Sequence, residues 1–277
     1  MLNDKTLTRL HLLGLTGSAL TAYRELLLRL LVSLQNTPRP AVVGISGAQG
    51  SGKSTLAHLL QHELVARGVR AQAVSLDDYY LGKAARQLLA QQVHPLLAQR
   101  GVPGTHNIAR ALADAQQVLS GQAVTLPVFD KATDDVAADR APATIDMLLV
   151  EGWCLGISAQ PVAELRPAIN ELEANEDAAG RWRTYVNQQL AGDYSRYWRL
   201  MTPFIWLQAP DWQSICDWRA KQEQQLWQQR GVGMAPDQLA RFMLPFQRLT
   251  QLSFQQLPAR ANYTIVLNQT QQPQLAG

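Results

Sequence analysis

The stretch Gly47-Ala48-Gln49-Gly50-Ser51-Gly52-Lys53-Ser54, followed by Thr55, satisfies every fixed position of the pattern G-x-x-x-x-G-K-S/T. This feature constrains the chain most, because the pattern works in one setting only: a buried strand, a tight turn, then a helix. Glycines let the backbone wrap a phosphate with its N–H groups, and the following helix aims its positive end at the same anion. In such a loop the lysine reaches the β- and γ-phosphates and the Ser hydroxyl ligates Mg²⁺. The setting is present here. Residues 41–46 form a short apolar run after the break Asn36-Thr37-Pro38-Arg39-Pro40, and residues 53–66 read as a helix ended by Gly68. Residues 47–55 are therefore the candidate site for ATP, with Lys53 catalytic and Ser54 a metal ligand.

The rest of the chain repeats the alternation. Short apolar segments at 71–75, 145–150, 204–207 and 263–267 read as strands, with a further short one at 124–129. Helical patterns lie between them, at 84–120 (broken at 100–104), 161–175, 178–200, 211–229 and 235–257. Such alternation predicts an α/β fold with a parallel sheet of about five strands, helices on both faces, and ligands at the carboxyl ends of the strands. Residues 4–35 read as one or two amphipathic helices with Leu26, Leu27, Leu30 and Leu31 on a buried stripe. One domain over 1–277 is expected: a helical extension at 1–37 and a core at 38–277.

Composition excludes several function classes. Hydrophobic residues at 47% and charged residues at 17% describe a folded chain. A net charge of +3 with no Lys/Arg run argues against nucleic acid. Cys154 and Cys216 stand in no metal-binding spacing. The apolar run 12–22 follows Lys5 and Arg9 as a secretory leader would, but His11, Thr16 and Ser18 weaken it. Nothing approaches the roughly 20 apolar residues of a membrane span. A cytoplasmic monomer or homodimer without a membrane partner is expected.

Three acids stand at strand ends. Glu151 follows Met147-Leu148-Leu149-Val150, as a carboxylate delivered by a buried strand to a magnesium site would. Asp77 and Asp78 follow the second strand. A kinase acting on an alcohol benefits from a carboxylate that accepts the hydroxyl proton, while Asp is also a good helix cap; one of the pair is expected to cap and the other to face the acceptor.

These motifs together, Gly47–Ser54, Ser75-Leu76-Asp77-Asp78-Tyr79-Tyr80 and Val150-Glu151-Gly152-Trp153, resemble the phosphoribulokinase, uridine kinase and pantothenate kinase superfamily. The D-glycerate 3-kinase branch is most similar, through Arg100-Gly101-Val102-Pro103-Gly104-Thr105-His106-Asn107, Pro127-Val128-Phe129-Asp130-Lys131 with Asp139-Arg140, and Trp218-Arg219 with Gln222-Glu223. The resemblance spans about residues 40–268. It implies a single kinase domain with acceptor loops near 80–142 and a lid near 211–234, Asp77 as catalytic base, Glu151 beside Mg²⁺, and Arg219 on the lid over the phosphates. It also implies an acceptor site drawn from Asp77, Tyr79, Thr105, His106, Asp130, Lys131 and Arg140. Two departures, a glycine-free loop at 132–138 and Asn107 where the branch has Asp, fall in the acceptor loops and leave the acceptor open.

The expected activity is transfer of the γ-phosphoryl group of ATP to a hydroxyl of a small, anionic acceptor, with D-glycerate as the named candidate. The rivals are a nucleoside, pantothenate or sugar phosphate acceptor, or a regulatory protein that uses its P-loop as a nucleotide switch.

Overall fold

The computed structural model describes residues 1–231 and 233–274; residue 232 of the expected lid and the last three residues of the expected domain lie outside the described residues. Two helices come first, α1 (Asp4–Leu12) and α2 (Gly17–Gln35). Strand β1 (Ala41–Gly47), helix α3 (Lys53–Ala66) and β2 (Ala71–Ser75) follow, then α4 (Lys83–Gln92) and α5 (Ile108–Leu119). Four two-residue strands, β3 (Ala123–Val124), β4 (Phe129–Asp130), β5 (Asp135–Val136) and β6 (Ala143–Thr144), form two small antiparallel pairs, β3–β6 and β4–β5. After β7 (Met147–Gly152) come α6 (Val162–Leu165), α7 (Glu171–Asn175), α8 (Arg181–Gln189) and α9 (Ser195–Trp198). The chain then runs through β8 (Met201–Gln208), α10 (Trp212–Arg230), α11 (Pro236–Arg260), β9 (Tyr263–Leu267) and β10 (Pro273–Gln274).

The main sheet has the order β10-β9-β8-β1-β7-β2; all pairs are parallel except the edge pair β9–β10. Five parallel strands with helices on both faces agree with the sequence expectation. Successive strand residues serve opposite faces. Val42, Leu148 and Val150 join the core under α5, α8, α9 and most of α11, whereas Val43, Ile45, Met147 and Leu149 join that under α1, α2, α3 and α10.

Three expectations need correction. The strand expected at 124–129 is strand only at its two ends, which belong to different small sheets, β3–β6 and β4–β5. The long helices expected at 161–175 and 178–200 are short pieces, because Pro167 has no N–H to donate, Gly180 is left-handed (φ 70°), and Gly192 departs from helical angles at φ −90°, ψ −128° inside a π-helical turn, Leu190–Tyr194. The strand expected at 204–207 begins at Met201. Its pairing with β1 skips from Val42↔Met201 to Gly44↔Phe204, an irregularity that accommodates Pro203, which cannot donate to the ladder.

Candidate active site

Pairing places three strand ends side by side: Ser46 lies opposite Gly152, and Ser75 opposite Glu151. The turns leaving β1, β2 and β7 therefore open on one cleft of about 1010 Å³. The β1–α3 turn takes left-handed conformations at Gly50 (φ 79°) and Gly52 (φ 84°), which L side chains rarely adopt. A Cβ on Gly50 would also lie 2.8 Å from that of Trp218, because α10 packs directly on the turn. Gly52 precedes α3 without any side-chain cap, so the first amides of the helix remain for an anion. Lys53, Ser54 and Thr55 line the cleft, together with Gln49, Gly50 and Gly52.

Glu151 is buried; its Oε1 accepts from Ser54 Oγ at 2.7 Å, and its Oε2 has no partner among the described residues. Gln49 Oε1 and Ser51 Oγ, in the turn, are likewise buried and unpartnered. Buried polar atoms without partners are uncommon and call for a ligand. The Ser54–Glu151 pair is an all-oxygen donor set, which fits a hard divalent cation such as Mg²⁺.

The adjacent acids diverge. Asp78 caps the turn after β2, accepting from the Ser75 amide at 3.1 Å, and takes Arg140 Nη2 at 3.1 Å. Asp77 enters the cleft instead, where Lys131 Nζ lies 2.6 Å from its Oδ2. Burial pushes the Asp77 carboxyl up, but Lys131 and then Lys53 outweigh it and hold the group below its ordinary value.

Several residues expected at the acceptor turn elsewhere. Tyr79 points into the core and donates to Asp114 at 3.1 Å; its neighbour Tyr80 lines the cleft in its place. Thr105 is fully buried, with Oγ1 bonded within its own loop to Val102 O and the Gly101 amide. Asp130 closes a turn with the Ala132 amide and Thr133, and Arg140 joins Ala73 O to Asp78. Each makes a structural contact, and none of the four lines the cleft wall. His106 lies beneath Tyr80, ring centroids 4.5 Å apart, and Arg219 lines the cleft while pairing with Glu223.

Sequence reasoning passed over Arg86 and Arg100. Both lie in the cleft wall and both pair with Asp134, which shares with Lys131 the short turn joining β4 to β5. They resemble solvated helix and loop charges in sequence; only the fold brings a hairpin 34 or more residues away onto them. Trp153, two residues after Glu151, also lines the cleft, with its indole N–H on Gly101 O at 3.0 Å. Among the described residues, no group of three or more His, Cys, Asp or Glu is placed to hold a metal, and no helix is long and apolar enough to cross a membrane.

The family model for the methylmalonyl-CoA mutase-associated GTPase MeaB matches residues 11–80, which contain the phosphate turn and Asp77 but are well under half of the chain. The chain is 30% identical over 218 residues to the uncharacterized kinase mug58 of Schizosaccharomyces pombe, covering 74% of this chain and 78% of that protein. It is 24% identical over 219 residues to the chloroplastic D-glycerate 3-kinase of Arabidopsis thaliana, of which it spans only 45%. A solved D-glycerate 3-kinase from Cryptococcus neoformans superposes with a TM-score of 0.76 at 23% identity, covering 95% of this chain and 99% of that one, a likeness of fold.

Proposed function

Because the chain belongs to the ATP-dependent P-loop small-molecule kinases, the family of mug58, we propose that it phosphorylates a hydroxyl of a small carboxylated alcohol, with D-glycerate as the acceptor. The observation that carries this reading is Asp77 in the same cleft as Lys53 and Ser54, with Lys131 beside it holding the carboxyl below its ordinary pKa. In this reading Asp77 takes the hydroxyl proton and orients the oxygen towards the γ-phosphorus. Lys53 and the amides of residues 47–54 hold the phosphates, and Arg219 meets the charge that spreads over the transferred oxygens. Ser54 and Glu151 would hold Mg²⁺, which when bound supplies charge neutralisation on the phosphates.

The choice of an anionic acceptor is supported by Lys131 and Arg100 in the cleft wall, cations that already hold carboxylates, those of Asp77 and Asp134. The choice of D-glycerate among such acids is supported by the relatives that bear its name, at 24% and 23% identity. A panel coupling ADP release to D-glycerate, uridine, pantothenate and sugar phosphates tests both. Turnover with D-glycerate is expected; turnover with uridine and none with D-glycerate overturns the acceptor. The MeaB match favours a second reading, a nucleotide-switched regulator. Acceptor-independent hydrolysis of GTP in the same panel, with no acceptor raising it, would favour that reading instead.

A further inference from the structure

Tyr194 ends the π-helical turn between α8 and α9 and is wholly buried. The backbone kinks within this turn at Gly192, whose angles (φ −90°, ψ −128°) are not helical, and so re-aims the residues beyond it. Here it brings the Tyr194 hydroxyl to 2.7 Å from His106 Nδ1. The Gly104 amide donates to the same oxygen at 2.9 Å.

A phenol has one proton to give. With the Gly104 amide already donating to its oxygen and no acceptor other than His106 Nδ1 bonded to the hydroxyl among the described residues, that proton is directed to Nδ1, which is then the bare, accepting nitrogen. Burial keeps the ring neutral, its pKa pushed down to about 4 against the opposing pull of Asp77. A neutral imidazole carries one N–H, so the hydrogen sits on Nε2. That atom is buried and has no partner among the described residues. Asp77 acts on the ring through its charge, although His106 sits behind Tyr80 and does not itself line the cleft wall; an N–H on the unpartnered Nε2 attracts an acceptor oxygen that reaches it, whereas a lone pair there would repel one.

We propose that Tyr194 is a positioning residue that fixes His106 in the Nε2–H form, so that a neutral donor serves the acceptor oxygen held by Asp77. The role of the donor rests on the acceptor reading above; the tautomer does not. ¹⁵N spectra of histidine-labelled protein, with His106 assigned by its loss in His106→Gln, read the tautomer in the free protein. A protonated Nε2 and a bare Nδ1 are expected, with Tyr194→Phe giving a mixture; Nδ1–H as the main form of the unaltered protein overturns the proposal.

The kinetic arm uses whichever acceptor the panel identifies. Loss of a buried hydrogen-bond partner predicts a rise of about 5- to 100-fold in acceptor KM for Tyr194→Phe. The ATP KM should stay within about twofold, as should both constants in Tyr197→Phe, whose buried hydroxyl has no partner to lose. In His106→Gln the amide nitrogen replaces Nε2 and needs no tautomer control, so adding Tyr194→Phe should cost nothing further. A further loss in that background, or an acceptor KM unmoved by Tyr194→Phe, makes Tyr194 merely structural and overturns the proposal. If the panel yields no acceptor, the functional reading fails and the spectra alone decide the tautomer.

Discussion

At Asp77, burial and charge act in opposite directions. Burial favours the protonated form, Lys131 and Lys53 favour the carboxylate, and the cations win. A base must be deprotonated to work, so activity is lost as pH falls through its pKa. With that value held below its ordinary 3.8, Asp77 contributes no loss across neutral pH. Lys131→Met removes the foremost cation and leaves burial less opposed, so the acid limb of kcat/KM should move to higher pH. An unmoved or lowered limb would contradict the ion pair. Asp77→Asn keeps the shape but cannot take a proton; kcat should fall about 10²- to 10⁴-fold. Titration with a nonhydrolysable ATP analogue should find binding nearly unaffected, and near-normal turnover would show the base to be another group.

Among the elements, the β4–β5 hairpin positions Lys131, and its anchor is Asp134. That residue is left-handed (φ 59°) and bridges buried Arg86, 2.9 Å away, and Arg100. Asn tolerates such a conformation and Ala does not. Asp134→Asn should therefore raise acceptor KM by loosening the hairpin, and Asp134→Ala should do so while also losing about 1–2 kcal/mol of stability. Equal melting temperatures for the two variants would argue against backbone strain. This anchor also marks where sequence legibility ended. Strand β1, the turn and α3 were readable because the phosphate motif demands that setting, and Glu151 because a four-residue apolar run delivers it. Thr105, Asp130 and Arg140 have the right chemistry for an acceptor site, yet their hydrogen bonds go to Val102, Ala132, Thr133, Ala73 and Asp78. Side-chain type reveals what a group can bond, and only the folded loops decide what it does bond. The split between Asp77 and Asp78 was foreseen in kind; Arg140 and the Ser75 amide decide which acid is which.

Across the whole molecule, the phosphate turn depends on helices distant in sequence. Leu10 of α1 and Leu27, Leu30, Leu31 and Leu34 of α2 share one core with Leu56, Leu60 and Leu64 of α3 and with Val43 and Ile45 of β1. Helix α3 is thus held between the sheet and the N-terminal helices, and Tyr23 of α2 brings its hydroxyl to 3.6 Å from where a Gly52 Cβ would lie. Asn3 adds a polar tie: its amide donates to the buried Glu63 of α3 at 2.9 Å. The helices at 4–35 are on this account part of the support of the nucleotide site rather than an appendage. Leu27 is fully buried and lies outside the cleft wall, so its truncation separates support from direct contact. Leu27→Ala removes buried methyl groups and leaves a cavity beside α3, a change that costs about 2–5 kcal/mol in well-packed cores. Urea unfolding should show that loss with an unchanged slope, because the surface exposed on unfolding hardly changes. Under conditions where the variant stays folded, kcat should remain within about threefold, since no group that touches substrate has moved. A loss below about 1 kcal/mol would mean that α2 rests loosely on α3 and that the nucleotide site is held by the sheet alone.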